Sequence, residues 1–261
     1  MAIFILFLQV FLLFSLCSSS VYILNDLLDI EDDRHHRIKR NRPFASGDLS
    51  INAGIFAFIL LLLISFISSW LLMPWRFTMV LGIYYVLTLM YSFILKKLIV
   101  SDILILSSFY TTRILAGASA LDLLPTFWML VFSMFIFLSL ALVKRYSELR
   151  DARTNGRESL TKGRGYYPSD LEIISSLGAA AGYLSVMVLA LYIQDAETVS
   201  LYQNPKIIWL ACPVLLFWIT RVWLLAHRGE VNEDPVVFAL TDKVSLLTGV
   251  IFGLIFIVAA M

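Results

Sequence analysis

Four side chains at the end of the first apolar segment have the types and spacing of a metal–phosphate site. Asn25, Asp26, Asp29 and Asp33 follow the pattern N-D-x-x-D-x-x-x-D. If the helix continues through this segment, positions 25, 29 and 33 are successive i, i+4 neighbours on one face. Carboxylates on one face repel one another unless a cation lies among them, and Mg²⁺ typically combines one or two carboxylates with phosphate oxygens of a substrate. We therefore predict that these four residues bind Mg²⁺ together with a phosphate group.

Basic side chains follow the acidic ones in the same connection. Lys39 and Arg42 come shortly after Asp33. Arg binds phosphate through paired hydrogen bonds, and Lys binds it as a point charge. A positively charged loop at a membrane surface would explain the basic residues equally well, but it does not explain the regular spacing of the acidic ones. We therefore predict that Lys39 and Arg42 bind phosphate.

The composition predicts a polytopic membrane protein. The chain has 261 residues, of which 60% are hydrophobic and 15% are charged. Apolar segments recur at about the ~20 residues that a helix needs to cross a bilayer. They cover residues 2–24, 52–73, 77–95, 100–120, 125–143, 171–193, 206–226 and 244–260. We predict an all-α bundle of about eight transmembrane helices that forms one domain over residues 1–261.

Charge is distributed unevenly between the two sides of this bundle. Four connections, at 25–51, 96–99, 144–170 and 227–243, hold 16 of the 20 Lys and Arg residues. Positive charge accumulates on the cytoplasmic side, so we predict a charged cytoplasmic cap on an integral multi-pass protein, in the cytoplasmic membrane if the source is bacterial. The net charge of +1 gives no global basic field, and we expect no nucleic-acid partner.

Two glycine pairs have the spacing of close helix contacts. Gly178 and Gly182 form one small-xxx-small pattern, and Gly249 and Gly253 form another. Small residues at this spacing let membrane helices approach closely. We predict that both pairs pack against neighbouring helices.

A second charged stretch, LALVKRYSELRDARTNGR, covers residues 140–157. Glu148 and Asp151 are i, i+3 neighbours in this stretch, so they could supply the opposing metal ligands. Lys144 and Arg145 lie close by. Because bases outnumber acids here, the stretch suits a donor that carries an additional phosphate. A positively charged membrane loop explains the outermost arginines equally well.

Arg113 lies within the fourth apolar segment. An ionisable residue inside a membrane segment is a functional-site hypothesis by default. Pairing with Asp102 or with a backbone carbonyl explains its presence equally well, and both explanations stay open.

The first acidic motif, together with the basic segment that ends at Pro43, resembles the first aspartate-rich motif of the UbiA superfamily of intramembrane prenyltransferases. In that superfamily the motif binds Mg²⁺ and the diphosphate of the donor. Typical aromatic prenyltransferases of the superfamily carry a second D-x-x-x-D motif in a later cytoplasmic loop, and this chain has no such motif there.

Further segments are similar to the decaprenyl-phosphate phosphoribosyltransferase branch of the superfamily. They are K-R-Y-x-E-L at 144–149, YSFILK at 91–96, RILAGASA at 113–120 and DPVVFALTDKV at 234–244. The resemblance covers nearly the whole chain. The family usually has nine helices, and this chain begins in what would be the second, so the resemblance implies either that the sequence is truncated at its start or that this member lacks the family's first helix.

The resemblance implies a reaction and a set of residues. Members of the branch transfer the 5-phosphoribosyl group from 5-phosphoribosyl 1-diphosphate to a polyprenyl phosphate for cell-envelope glycolipid synthesis, with Mg²⁺ as cofactor. The implied catalytic residues are Asp29, Asp33 and Glu148. The implied metal ligands are Asn25, Asp26, Asp29, Asp33, Glu148 and Asp151. The implied substrate-binding residues are Asn25, Lys39, Arg42, Lys96, Arg113, Lys144, Arg145 and Tyr146. A homo-oligomer in the lipid bilayer is compatible with this assignment.

The sequence leaves two other functions open. An aromatic or quinone prenyltransferase of the same superfamily would have a neutral, apolar acceptor site, and the lack of D-x-x-x-D argues against it. A transporter or lipid-binding protein would place charges near the bilayer midplane on broken helices. Here most charges lie instead at one face of the predicted bundle.

Overall fold

A computed structural model describes residues 2–34, 39–156, 165–195, 199–231 and 234–261, without the side chains of residues 2, 3, 32 and 39. Most residues of this part are helical, and none of them lies in a strand. Its α-helices are α1 Ala2–Leu28, α2 Ile30–Arg34, α3 Pro43–Ser46, α4 Ile51–Leu72, α5 Trp75–Phe93, α6 Ser101–Ala120, α7 Phe127–Thr154, α8 Leu171–Tyr192, α9 Ala211–Arg228, α10 Pro235–Thr241 and α11 Lys243–Ala260. Short 3₁₀ helices cover Lys39–Asn41, Leu95–Lys97, Pro168–Asp170 and Pro205–Leu210.

Eight of the helices in the described ranges are long enough and apolar enough to cross a membrane. They correspond to the eight predicted segments, so the predicted all-α, polytopic architecture is confirmed. Side chains cap several helix starts: Ser50 Oγ accepts from Ala53 N at 3.2 Å, and Thr126 Oγ1 accepts from Met129 N at 3.2 Å. Such caps satisfy amide groups that the helix itself leaves unpaired.

The first helix continues through the acidic motif, as the sequence predicted. Asp29 N donates to Asn25 O at 3.0 Å, and Asp33 N donates to Asp29 O at 2.8 Å. These bonds join α2 to the end of α1 across a single turn residue. Asn25, Asp29 and Asp33 therefore lie one turn apart, as the i, i+4 spacing requires.

Helix α7 is longer than the sequence predicted. We expected it to end near residue 143, and it continues to Thr154. Residues 127–154 contain no Gly or Pro, and the first left-handed backbone comes at Gly156, with φ 67°. The motif at 144–149 therefore lies on a helix that extends beyond the apolar segment.

The chain divides into two compact units. The first comprises Met1–Leu95 and Thr112–Pro125, and the second comprises Lys96–Thr111 and Thr126–Met261. In the first unit α1 packs against α4 and α5. Ser65 Oγ donates to Leu13 O at 2.8 Å within this packing, as expected for small polar residues between membrane helices.

In the second unit α7, α8 and α9 form the core. The predicted close contact at the first glycine pair is confirmed. A Cβ at Gly178 would collide with the Trp223 ring, and one at Gly182 would lie 2.6 Å from Ile219 Cγ2. The structure does not show the close contact predicted for the second pair, because no described atom outside its own helix backbone lies within 4 Å of a Cβ at Gly249 or Gly253.

Candidate functional site

The first acidic cluster comprises Asn25, Asp26, Asp29 and Asp33, and two of its carboxylates, those of Asp26 and Asp33, contact the side chain of Arg42. Arg42 Nη1 donates to Asp26 Oδ1 at 2.9 Å and to Asp33 Oδ2 at 2.8 Å. The Asp33 side chain is only 6% exposed, whereas that of Arg42 is 39% exposed. Asp26 and Asp33 are seven residues, or about two helical turns, apart. One nitrogen therefore bridges two carboxylates across two turns.

Local packing brings Arg42 to this position. Pro43 begins α3, where its fixed φ suits the first helical residue. Phe44 is buried, and its ring would lie 2.7 Å from a Cβ at Gly54 of α4. Arg34 Nε donates to Ala45 O at 3.2 Å, which joins α2 to α3. These contacts fix the turn from which the Arg42 side chain reaches back to the acids.

The donor atoms of this cluster fit Mg²⁺. Two carboxylate oxygens already point at one cationic group, and Asn25 Oδ1 is buried with no hydrogen-bond partner among the described residues. No group of three or more His, Cys, Asp or Glu side chains is assembled for metal binding in the described ranges. Mg²⁺ needs only one or two carboxylates when substrate phosphates complete its octahedral shell, so the donor types of this cluster fit such a site.

A second cluster lies in the other unit, around Arg145. Arg145 Nη2 lies 2.7 Å from Asp102 Oδ2, and Arg145 Nη1 donates to Glu148. Arg145 and Asp102 are almost completely buried, whereas the Glu148 side chain is 24% exposed. The Arg145 guanidinium also lies 5.7 Å from the centre of the Tyr166 ring. Arg145 is thus enclosed by acidic and aromatic partners, and it orients Glu148.

Two more of the predicted substrate-binding residues have partners in this unit. Lys144 Nζ lies 3.5 Å from Asp234 Oδ2, and Asp234 Oδ1 accepts from Val236 N at 2.9 Å at the start of α10. Tyr146 is buried, and its hydroxyl lies 2.9 Å from His227 Nδ1 on α9. The first contact joins the K-R-Y-x-E-L motif to the DPVVFALTDKV segment, and the second joins it to α9.

The remaining predicted residues are Asp151, Lys96, Arg113 and Lys39. Asp151 is 65% exposed, and its Oδ1 lies 3.7 Å from Arg150 Nη1, so its carboxylate faces solvent while Glu148 faces Arg145. Lys96 lies in the 3₁₀ helix Leu95–Lys97, and Arg113 has an exposed side chain on α6. The side chain of Lys39 lies outside the described part of the structure.

Several residues of the second cluster were not predicted from the sequence as site residues. Tyr166, His227 and Asp234 contact the K-R-Y-x-E-L motif from α9 and from connecting segments. No spacing rule joins positions so distant in sequence. Asp234 alone carried a usable signal, because Asp directly before Pro is a common helix N-cap.

The second unit also contains an apolar cavity of about 470 Å³. It lies between α7, α9, α10 and α11, and its lining includes Phe132, Trp218 and Phe252. Ser245 is one of its few polar residues, and its Oγ accepts from Trp218 Nε1 at 3.1 Å. Cavities of this size and polarity are typical of sites for apolar ligands.

Comparison with known proteins identifies the family. The sequence model of the UbiA prenyltransferase family matches residues 2–247. The uncharacterized protein y4nM of Sinorhizobium fredii is 37% identical over 95% of this chain, and the chain spans about half, 48%, of that protein's length. Nodulation protein NoeC of Azorhizobium caulinodans is 36% identical over 95% of this chain and 80% of its own length.

A further relative belongs to the branch that the sequence resembles. Decaprenyl-phosphate phosphoribosyltransferase of Mycobacterium tuberculosis is 33% identical over 90% of this chain and 74% of its own length. The predicted resemblance is thereby confirmed, and eight membrane-length helices agree with an integral multi-pass protein. The chain belongs to the UbiA prenyltransferase family, a family of transferases.

Proposed function

We propose that this protein transfers the 5-phosphoribosyl group from 5-phosphoribosyl 1-diphosphate to a polyprenyl phosphate and releases diphosphate. The observation that carries the proposal is the convergence of Asp26 and Asp33 on one cation position at the end of a membrane helix. The similarity to decaprenyl-phosphate phosphoribosyltransferases supports the choice of donor and acceptor.

The reaction breaks the bond between the anomeric carbon of ribose and the diphosphate oxygen, and the electron pair leaves with diphosphate. A phosphate oxygen of the acceptor forms the new bond to that carbon. When bound, Mg²⁺ offsets the negative charge that grows on the leaving oxygen. The first acidic cluster, Asn25, Asp26, Asp29 and Asp33, holds the diphosphate end of the donor, and Arg42 pairs with the phosphates of that diphosphate.

In this proposal the second cluster also binds substrate. Lys144 supplies positive charge for a substrate phosphate, and Glu148 supplies a carboxylate whose direction Arg145 fixes. Tyr146, bonded to His227, presents a hydroxyl with a defined orientation. The acceptor is already an anion, so its attack requires no strong general base.

The membrane location suits a lipid acceptor. We place the charged loops on the cytoplasmic side, because they hold most of the Lys and Arg residues. A soluble sugar phosphate reaches them from the cytoplasm. The apolar cavity of about 470 Å³ takes a section of the acceptor's lipid tail.

The test is a mass-spectrometric product assay of the purified protein in lipid with Mg²⁺. One sample receives 5-phosphoribosyl 1-diphosphate with a polyprenyl phosphate, and another receives a prenyl diphosphate with an aromatic acceptor. We expect polyprenyl-phosphoryl phosphoribose in the first sample only, with loss of the product in EDTA and in the Asp29→Asn variant. A prenylated aromatic product in the second sample, with none in the first, would overturn the proposal in favour of aromatic prenyl transfer.

A further inference from the structure

The position of Arg42 has a consequence for the order in which ligands enter the first acidic cluster. Its Nη1 lies 2.9 Å from Asp26 Oδ1 and 2.8 Å from Asp33 Oδ2. These are the distances of charge-assisted hydrogen bonds. The carboxylates of Asp26 and Asp33 are therefore both paired with a cation that the protein itself supplies, the Arg42 guanidinium.

A divalent cation competes with this guanidinium for the same oxygens. Mg²⁺ binds carboxylate oxygens at about 2.0–2.1 Å. An ion at that distance from both oxygens would lie close to Nη1 and be repelled by its charge. Asp33 is nearly buried, so solvent screens this repulsion only in part. Metal binding at Asp26 and Asp33 thus requires Arg42 to leave.

Arg42 leaves the two carboxylates only if another anion is available to pair with its charge. Its side chain is 39% exposed, and it makes no hydrogen bond to the start of α3. The side chain is therefore free to turn without unfolding the helix that follows it. A diphosphate supplies phosphate oxygens in the geometry that a guanidinium binds through paired hydrogen bonds.

We propose that Arg42 is an internal counter-cation that makes metal binding depend on diphosphate. Without diphosphate, Arg42 holds Asp26 and Asp33 and keeps divalent cations out. When the metal and diphosphate arrive together, the metal takes the carboxylate oxygens and Arg42 moves to the phosphates. This inference rests on the proposed metal–diphosphate site and adds that the metal enters as the diphosphate complex.

The test measures binding of Mn²⁺ by electron paramagnetic resonance, with protein in lipid and without turnover. Two ligands are titrated separately: Mn²⁺ alone, and the preformed Mn²⁺–diphosphate complex. We expect Arg42→Gln to bind Mn²⁺ alone about 10-fold more tightly than the wild type, because a close positive charge is removed. The same variant should bind the Mn²⁺–diphosphate complex about 10-fold more weakly, because a charge-assisted phosphate contact is lost.

Two further variants isolate the cause. Arg42→Lys keeps the positive charge and loses the planar fork, so it should exclude Mn²⁺ as the wild type does and bind the complex more weakly. Arg40→Gln removes the same charge two residues away, from an exposed side chain. Both of its affinities should stay within about twofold of the wild type, as for ordinary surface charges.

The outcomes separate this inference from the proposed function. If Arg42→Gln and the wild type bind Mn²⁺ alone equally, while the wild type still binds the complex, the counter-cation role is wrong and the metal–diphosphate site stands. If the wild type and all three variants bind neither ligand, the proposed site itself is wrong. A gain in Mn²⁺ affinity in both Arg42→Gln and Arg40→Gln would show only a general charge effect and would also overturn the inference.

Discussion

The guanidinium of Arg145 lies 2.7 Å from the carboxylate of Asp102, and the two side chains are 1% and 0% exposed. This pair joins the first turn of α6 to α7 within the second unit. Removing one partner of a buried ion pair leaves an uncompensated charge in a medium of low polarity. The same guanidinium also bonds to Glu148, so the pair stabilises the unit and directs a proposed site residue.

The Asp102→Asn substitution should therefore lower the free energy of unfolding by about 3–5 kcal/mol, because Arg145 would remain buried without its counter-ion. Denaturant titration in micelles measures this change. Asp122→Asn is the matched control, since Asp122 pairs with Arg76 at 2.7 Å but is 69% exposed. The control should change by no more than about 1 kcal/mol. Equal effects of the two variants would show that burial of the Arg145 pair is unimportant.

The close approach of α8 to α9 leads to a second prediction. Gly178→Ala should destabilise the protein by about 1–3 kcal/mol, because the added methyl group collides with Trp223 and lies 2.9 Å from Leu142 Cβ. Trp223 also donates to Ser139 Oγ at 3.1 Å, so the ring moves only at the cost of that bond. Thermal unfolding of the detergent-solubilised protein measures the loss.

Gly249→Ala serves as the control for this substitution. A Cβ at Gly249 meets no described atom outside its own helix backbone within 4 Å. Alanine there should leave stability unchanged or raise it by up to about 1 kcal/mol through helix propensity. A loss at Gly249 as large as that at Gly178 would argue against steric collision as the cause.

The Arg221–Asp242 pair should make stability depend on pH. Arg221 Nη1 lies 2.6 Å from Asp242 Oδ2, and Arg221 Nη2 lies 3.0 Å from Asp242 Oδ1. This pairing, helped by bonds from Ser245, lowers the pKa of Asp242 from its ordinary 3.8 to about 2. Since the folded-state pKa lies below the unfolded one, the stabilising contribution is complete above pH 3.8 and is lost as the pH falls to about 2.

Asp242→Asn tests this assignment because asparagine can still cap α11 but does not ionise. We expect the variant to be less stable than the wild type at pH 6 and to differ from it progressively less between pH 4 and pH 2. The measurement is the free energy of unfolding across that range. A stability difference that stays constant with pH would rule out the ionised pair as its source.

Much of the helical framework is predictable from hydropathy and helix caps. The apolar segments and the residues at their starts, such as Ser50 and Thr126, place most helix bounds within a few residues. Helix α7 was predicted too short because the end of its apolar segment is not the end of its helix-forming residues. The i, i+4 spacing of the acidic motif likewise predicted a shared helix face. This prediction required only that the helix continue through the motif, and it does.

The partners of the charged side chains could not be predicted in the same way. Arg42 reaches the acids because Phe44 packs at Gly54 and fixes the turn. Arg145 is buried because Asp102, on another helix, neutralises it. Both pairings depend on contacts between helices, which periodicity within one helix does not report.

In the proposed function, the carboxylates of the first acidic cluster hold the diphosphate end of the donor. The most direct measurement is the rate of polyprenyl-phosphoryl phosphoribose formation by Asp33→Asn, with Asp48→Asn as an exposed carboxylate control from the same segment. Asp33→Asn should reduce the rate at least about 100-fold, because it removes a charged oxygen ligand, while Asp48→Asn should retain the wild-type rate. A wild-type rate in a correctly folded Asp33→Asn protein would contradict the account.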